Sequence, residues 1–142
     1  CRLLSDMIAA ALRGQPRSAV MAMALRPGGL PLRDEIRLLA EDWNGPQVGR
    51  RRPPPGILGA LDRAARCFAR SRTFGDGLDR ALAGSGGERD VVAAAYGALA
   101  GAWYGAPALP AELRARVAGT ARLASLAGKL FQRMQPAGGP LA

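Results

Sequence analysis

The sequence predicts an all-α, multi-helical fold. Its apolar residues recur in blocks at helical spacing, no stretch alternates as a half-buried strand would, and Gly and Pro punctuate the blocks. At 142 residues the chain fits one domain of ordinary size. A domain of about 150 residues buries roughly 68–70% of the surface of its unfolded chain, so a real core is expected. Hydrophobic residues make up 49% and aromatics only 5%, so Ala and Leu must do most of the packing. Each small side chain contributes little buried area.

Leu3, Leu4, Met7, Ile8, Ala11 and Leu12 lay out one apolar face from about Arg2 to Arg13, and Gly14 stops that helix. Pro16 opens a second helix over Ser18 to Leu25, which Pro27, Gly28 and Gly29 break. A third is expected from about Leu32 to Trp43, with Asp34 and Glu35 at its positive N-terminal end and Ile36, Leu39, Ala40 and Trp43 as its stripe. Residues 44–56 are rich in Gly, Pro and Arg and read as a surface loop, extended at Pro53 to Pro55. A fourth helix follows from about Ile57 to Arg70. Ile57, Leu58, Leu61, Ala64, Ala65 and Phe68 lie on one side of it. Thr73 with Asp76 resembles a capping box opening a short helix through Phe74, Leu78 and Leu82.

Ala83-Gly84-Ser85-Gly86-Gly87 is a glycine-rich turn leading into Glu88-Arg89-Asp90 and a strongly apolar helix up to Gly105. Gly97, Gly101 and Gly105 recur at four-residue spacing, which predicts a central helix packed closely by its neighbours. The apolar stretch from Val91 to Ala106 is shorter than the roughly 20 residues of a membrane span, and no membrane partner is expected. Pro107 ends this helix and Leu109-Pro110 starts another. Leu123, Leu126, Ala127, Leu130 and Phe131 make the last apolar stripe. Residues 1–134 are therefore expected to form one helical portion, with 135–142 a flexible tail.

Net charge is +9, almost all of it from arginine, since Lys129 is the only lysine. A basic surface concentrates anions. Arginine, however, is scattered along every segment, and no basic run is interleaved with aromatics as single-strand binding requires. Nucleic acid is not the expected partner. The one cluster, Arg50 to Arg52, precedes prolines and reads as exposed loop. Cys1 and Cys67 have no metal-ligand spacing, so reduced thiols and a cytoplasmic setting are expected. There is no histidine. That excludes Ser-His and Cys-His nucleophilic sites and histidine metal ligands within the chain. Helix-like sequence begins at once without a methionine, and no secretory signal is visible. A chain cut from something longer is the simplest expectation.

Chemistry concentrates in Gly86-Gly87-Glu88-Arg89-Asp90-Val91. A glycine turn lets backbone approach a ligand closely. Two carboxylates one residue apart at a helix start can reach a hard cation, because Mg²⁺ takes oxygen ligands. The same residues also suit the helix dipole with no ligand at all. Phosphate could bind free N–H groups there, but Glu88 and Asp90 would repel it and Arg89 offsets only part of that. Metal binding ranks above anion binding.

The stretch from Ser85 to Gly105, Ser-Gly-Gly-Glu-Arg-Asp followed by a small-residue helix containing Gly97-Ala98-Leu99-Ala100-Gly101-Ala102-Trp103-Tyr104-Gly105, resembles the C-terminal signature of the ADP-ribosylglycohydrolase family. That signature reads roughly GGDTDT, then a helix ending GALAGAxYG. Ile57 to Phe68, Thr73-Phe74 and Leu78 to Ala81 resemble the family's stretch ahead of the glycines, and Cys1 to Gly14 resembles a helix near its middle.

The resemblance implies an orthogonal multi-helical domain, of which this chain is the C-terminal portion. It further implies metal-dependent hydrolysis of the bond joining ADP-ribose to a modified protein side chain. Mg²⁺ ions would lie between N-terminal acidic motifs and the late motif, as template and Lewis acid. Glu88 stands where the family's first aspartate stands, Asp90 matches the second, and Val91 replaces the hydroxyl residue. Gly86 and Gly87 match the ligand loop. Glu88 is one methylene longer than the aspartate, Val91 offers no oxygen, and Arg89 adds a cation beside the site. The N-terminal acidic motifs are missing. The expectation is therefore a degenerate member, a pseudoenzyme or fragment with hydrolysis impaired or lost, and no catalytic residue is assigned. The alternative is a non-catalytic helical module that binds ADP-ribose or a partner protein. The missing half would come from a partner chain or from residues upstream of Cys1.

Overall fold

A computed structural model describes residues 2–25, 33–43, 54–83 and 88–134. Among them there is no strand, and eight α-helices follow in order. They are α1 (Arg2–Leu12), α2 (Arg17–Met21), α3 (Asp34–Glu41), α4 (Ile57–Arg70), α5 (Phe74–Leu82), α6 (Arg89–Tyr104), α7 (Ala111–Arg116) and α8 (Thr120–Met134). Short 3₁₀ turns occupy Ala22–Leu25 and Ala106–Ala108. The chain divides into two compact units, Cys1–Leu109 and Pro110–Ala142. No described helix is long and apolar enough to cross a membrane. The loop expected at 44–56 lies outside the described residues up to Pro53. Cys1, Arg50 to Arg52, the break at Pro27 to Gly29, Leu32 and the tail 135–142 also lie outside them.

Local chemistry explains the helix ends. The α1 helix closes through Gly14 at φ 71°, whose N–H donates to the Ala11 carbonyl at 2.9 Å while Gln15 N–H donates to Ala10 at 3.1 Å. This is the paired arrangement by which a left-handed glycine satisfies the last carbonyls of a helix. At α5, Thr73 Oγ1 accepts from the Asp76 N–H at 3.1 Å. The expected box is modified: Asp76 reaches back to the N–H of Arg72 rather than of Thr73, and also takes the Arg80 guanidinium at 2.9 Å. The Arg72 N–H, then Arg80, hold the Asp76 carboxyl below its ordinary range.

Two expected elements differ in detail. The second helix is α-helical only to Met21 and tightens into a 3₁₀ turn before Leu25. The final segment is two helices, because Val117 turns extended (φ −80°, ψ 116°) and ends α7.

In the first unit α6 is central, packing against α4, α5 and α1. Its buried face is Val92, Tyr96, Leu99 and Ala100. Around it lie Leu3, Met7, Ala10 and Ala11 of α1, Ala60, Ala64, Ala65 and Phe68 of α4, and Phe74 and Ala81 of α5. Alanine supplies much of this core, as the composition requires. The central place of α6 is as expected, but the glycine stripe is not the packed face: among the described residues nothing lies within 4 Å of where a Cβ would stand on Gly97 or Gly101. Close approach occurs instead at Gly77 of α5, where an added Cβ would collide with the Tyr96 hydroxyl and ring. The Tyr96 hydroxyl passes through that gap to donate to the Phe74 carbonyl at 2.9 Å. Burial pushes its pKa up to about 12.

Glycine-to-alanine substitutions should therefore have opposite signs on two helices. Gly97→Ala and Gly101→Ala should each raise stability by about 0.5–1 kcal/mol, the ordinary helix gain. Gly77→Ala should lower it by about 1–3 kcal/mol through overpacking. Urea unfolding reads both, and a stabilising Gly77→Ala would contradict the packing described. Because the folded Tyr96 pKa is raised, its stabilising contribution is complete below pH 10 and lost as pH rises toward 12. Stability should fall across that interval, and Tyr96→Phe should flatten the slope.

Candidate functional site

The acidic turn stands at the start of α6. Glu88 is the N-cap, with φ −103° and ψ 6°, and makes no side-chain cap bond. Asp90 lies in the first turn, and Glu88, Arg89, Asp90 and Val91 are all exposed. Among the described residues neither carboxylate has a hydrogen-bond or ion-pair partner. Helical residues two apart do not share a face, but Glu88 precedes the regular helix, so its carboxylate is not held to that spacing. The helix dipole favours negative charge at this end. Gly86 and Gly87, the expected ligand loop, lie outside the described residues.

Two polar constellations that sequence reasoning did not identify lie elsewhere in the same unit, one around buried Asp62 and one around half-buried Arg17. Asp62, 5% exposed, accepts from the Trp43 indole N–H at 2.9 Å and from Arg66 Nε at 3.0 Å on both carboxylate oxygens. Arg66 also donates to the Asp42 carbonyl at 3.3 Å. This carboxylate joins the end of α3 to α4, and both of its oxygens accept a hydrogen bond. The second centres on Arg17. One Nη donates to the Ser71 carbonyl at 2.6 Å and the other to the Tyr104 hydroxyl at 2.8 Å. Its guanidinium carbon lies 4.4 Å from the Trp103 ring centroid and 5.1 Å from that of Phe68. Ser71 Oγ is 3.0 Å from the same Tyr104 hydroxyl and 2.9 Å from the Phe68 carbonyl. Among the described residues the buried Arg17 Nε has no hydrogen-bond partner.

The Arg17 constellation lies at the far end of α6 from Glu88, about 24 Å away at about 1.5 Å per residue. It is a clamp between α2, the α4–α5 junction and α6, and not part of the acidic turn. Cys67 is a free, buried thiol. Burial pushes its pKa up, against the lowering fields of Arg63, Arg80 and Arg70. A nucleophilic cysteine needs the opposite shift.

The ADP-ribosylglycohydrolase family model matches residues 1–140. This chain belongs to that family. No significant match occurs among curated proteins or among solved structures.

Family members are generally metal-dependent, so the donor set at α6 can be tested against such an ion. Among the described residues no three acidic, Cys or His side chains group together. The turn offers two carboxylates, an arginine between them, and Val91, whose side chain has no oxygen. A hard cation demanding near-octahedral oxygen coordination is not satisfied by this set alone.

Of the residues named from sequence, Glu88 and Asp90 are brought to one exposed helix end. Neither constellation was identified from sequence, because Arg17 acquires its partners, and Asp62 its Trp43 indole, only through tertiary contacts. Arg17→Lys should cost about 1–3 kcal/mol, since an ammonium cannot keep two diverging donors while stacked on Trp103. Thermal unfolding checks this. An unchanged midpoint would mean that the clamp is dispensable.

Proposed function

We propose that this chain is the C-terminal portion of an ADP-ribosylglycohydrolase domain whose hydrolysis of ADP-ribose from modified protein side chains is impaired or lost. The observation carrying the reading is the acidic turn itself, with Glu88 as N-cap, Asp90 in the first turn and exposed Val91 where the family's motif has a hydroxyl. In this reading Glu88 and Asp90 take the late metal-ligand positions, Mg²⁺ is the ion, and Gly86 and Gly87 line the ligand. The longer Glu88, the cationic Arg89 and the missing oxygen at Val91 each weaken such a site. The remaining acidic ligands would come from a partner chain or from residues upstream of Cys1. The ligand is ADP-ribose or an ADP-ribosylated protein. The free buried thiol of Cys67 suits a reducing cytoplasm.

The same departures favour a second reading, a helical module that binds ADP-ribose or a partner protein without cleaving it. Incubation with ADP-ribosylated arginine or serine peptides and Mg²⁺ should release no more ADP-ribose than the blank. Release that is abolished by Asp90→Ala would overturn the loss of activity. Calorimetry with ADP-ribose separates the two readings. Heat that depends on Mg²⁺ supports a residual metal site, heat indifferent to metal supports the module, and no heat in either condition removes both as ligand sites of the isolated chain.

A further inference from the structure

Within the second unit, which the family match includes, α8 carries an apolar face that no described residue of that unit covers. Along α8, Leu123, Leu126 and Leu130 stand at i, i+3 and i+7 with Phe131 beside them. They are 56%, 48%, 63% and 61% exposed. Ala127, within the same stripe, is exposed too, and Leu113 and Val117 ahead of α8 are likewise exposed. Single exposed apolar residues are ordinary, but a contiguous stripe along a whole helix marks an interaction surface.

Charge decides what fits it. No acidic residue follows Glu112 in the sequence, whereas Arg114, Arg116, Arg122, Lys129 and Arg133 are all cationic. On α8, Arg122, Lys129 and Arg133 recur at i, i+7 and i+11, a stripe within about 40° of arc at about 100° per residue, bordering the apolar face at Leu126. A second copy of α8 would bring these like charges together, so pairing between copies is disfavoured. An anionic surface would satisfy them while their aliphatic stems extend over the apolar boundary. The 15-residue helix is only about 22 Å long, too short to span a bilayer.

We infer that α8 is a surface-lying helix that docks on an anionic lipid headgroup layer, its Leu123–Leu126–Leu130–Phe131 face entering the acyl boundary and its three cations meeting lipid phosphates and carboxylates. Balanced overall hydropathy, a sharply segregated apolar face and a basic flank are the properties that let a helix lie in the interface rather than cross it. This contact departs from the expectation of no membrane partner, which rested on the absence of a spanning segment. The anionic cytoplasmic leaflet supplies the required charge.

The test is sedimentation of the full chain with vesicles of pure phosphatidylcholine and of phosphatidylcholine with phosphatidylserine. Binding is expected to the mixed vesicles only, weakening with added salt. The triple variant R122Q/K129Q/R133Q should bind roughly a hundredfold more weakly, as each basic side chain near an anionic surface contributes about fivefold. The double variant L126S/L130S keeps every charge and should also fail to sediment. The substituted residues are exposed, and circular dichroism verifies that the fold is kept. Failure of the parent chain to sediment with anionic vesicles overturns the inference. So does undiminished binding by L126S/L130S, which would reduce the effect to the +9 charge of the whole chain. Self-association lost in L126S/L130S, without lipid binding, would assign the face to a second copy instead.

Discussion

The packing of the first unit depends on how one face of α6 is received by α5. Tyr96 is the largest side chain on that face, and its hydroxyl can reach the Phe74 carbonyl only because Gly77 has no side chain in its path. Phe74 meets the Tyr96 ring at 5.7 Å between centroids, so one tyrosine provides both the apolar filling and the polar tie. With so few aromatics in the chain, such contacts have to be concentrated. Alanines on α1, α4 and α6 then let the helices close around Val92, Leu99 and Ala100.

Polar groups divide into two populations with different chemistry. Asp62 is buried and Arg17 half-buried, and both are bonded: the carboxylate accepts from an indole and a guanidinium, and the Arg17 guanidinium lies over Trp103 and donates through both Nη atoms. Removing one partner from such a group leaves the other desolvated and unpaired, which is why these sites hold helices together. Glu88 and Asp90 face solvent, with no partner among the described residues. Their charge is available to something outside the unit.

Much of the fold could be read from local signals. Gly14, the Thr73–Asp76 pair and the Ile57–Arg70 periodicity located α1, α5 and α4 because capping and amphipathicity act within a few residues. The stripe of Gly97 and Gly101 misled for a physical reason. Spacing tells which residues share a face, but not what lies opposite, and here the larger side chains of the same helix took the core. The break at Val117 and the exposure of α8 were equally invisible, since an apolar stripe looks the same whether it is covered or not. At the candidate site, the acidic pair was legible through its likeness to a family motif. The Arg17 clamp was not, since it joins residues 54 and 87 positions apart.

The unequal anchoring of α6 has a dynamic consequence. Its buried face begins at Val92 and its last turn is gripped by Arg17 through Tyr104, while Glu88 to Val91 stand in water. Amide exchange along the one rod should therefore be graded, slow near Tyr96 and fast at Arg89 to Val91, because fraying that stops short of Val92 disturbs no core residue of this helix. An end that opens without unfolding the rest can reshape itself around a guest molecule at small energetic cost. The helix thus behaves as a post fixed in its foundation with a pliable tip.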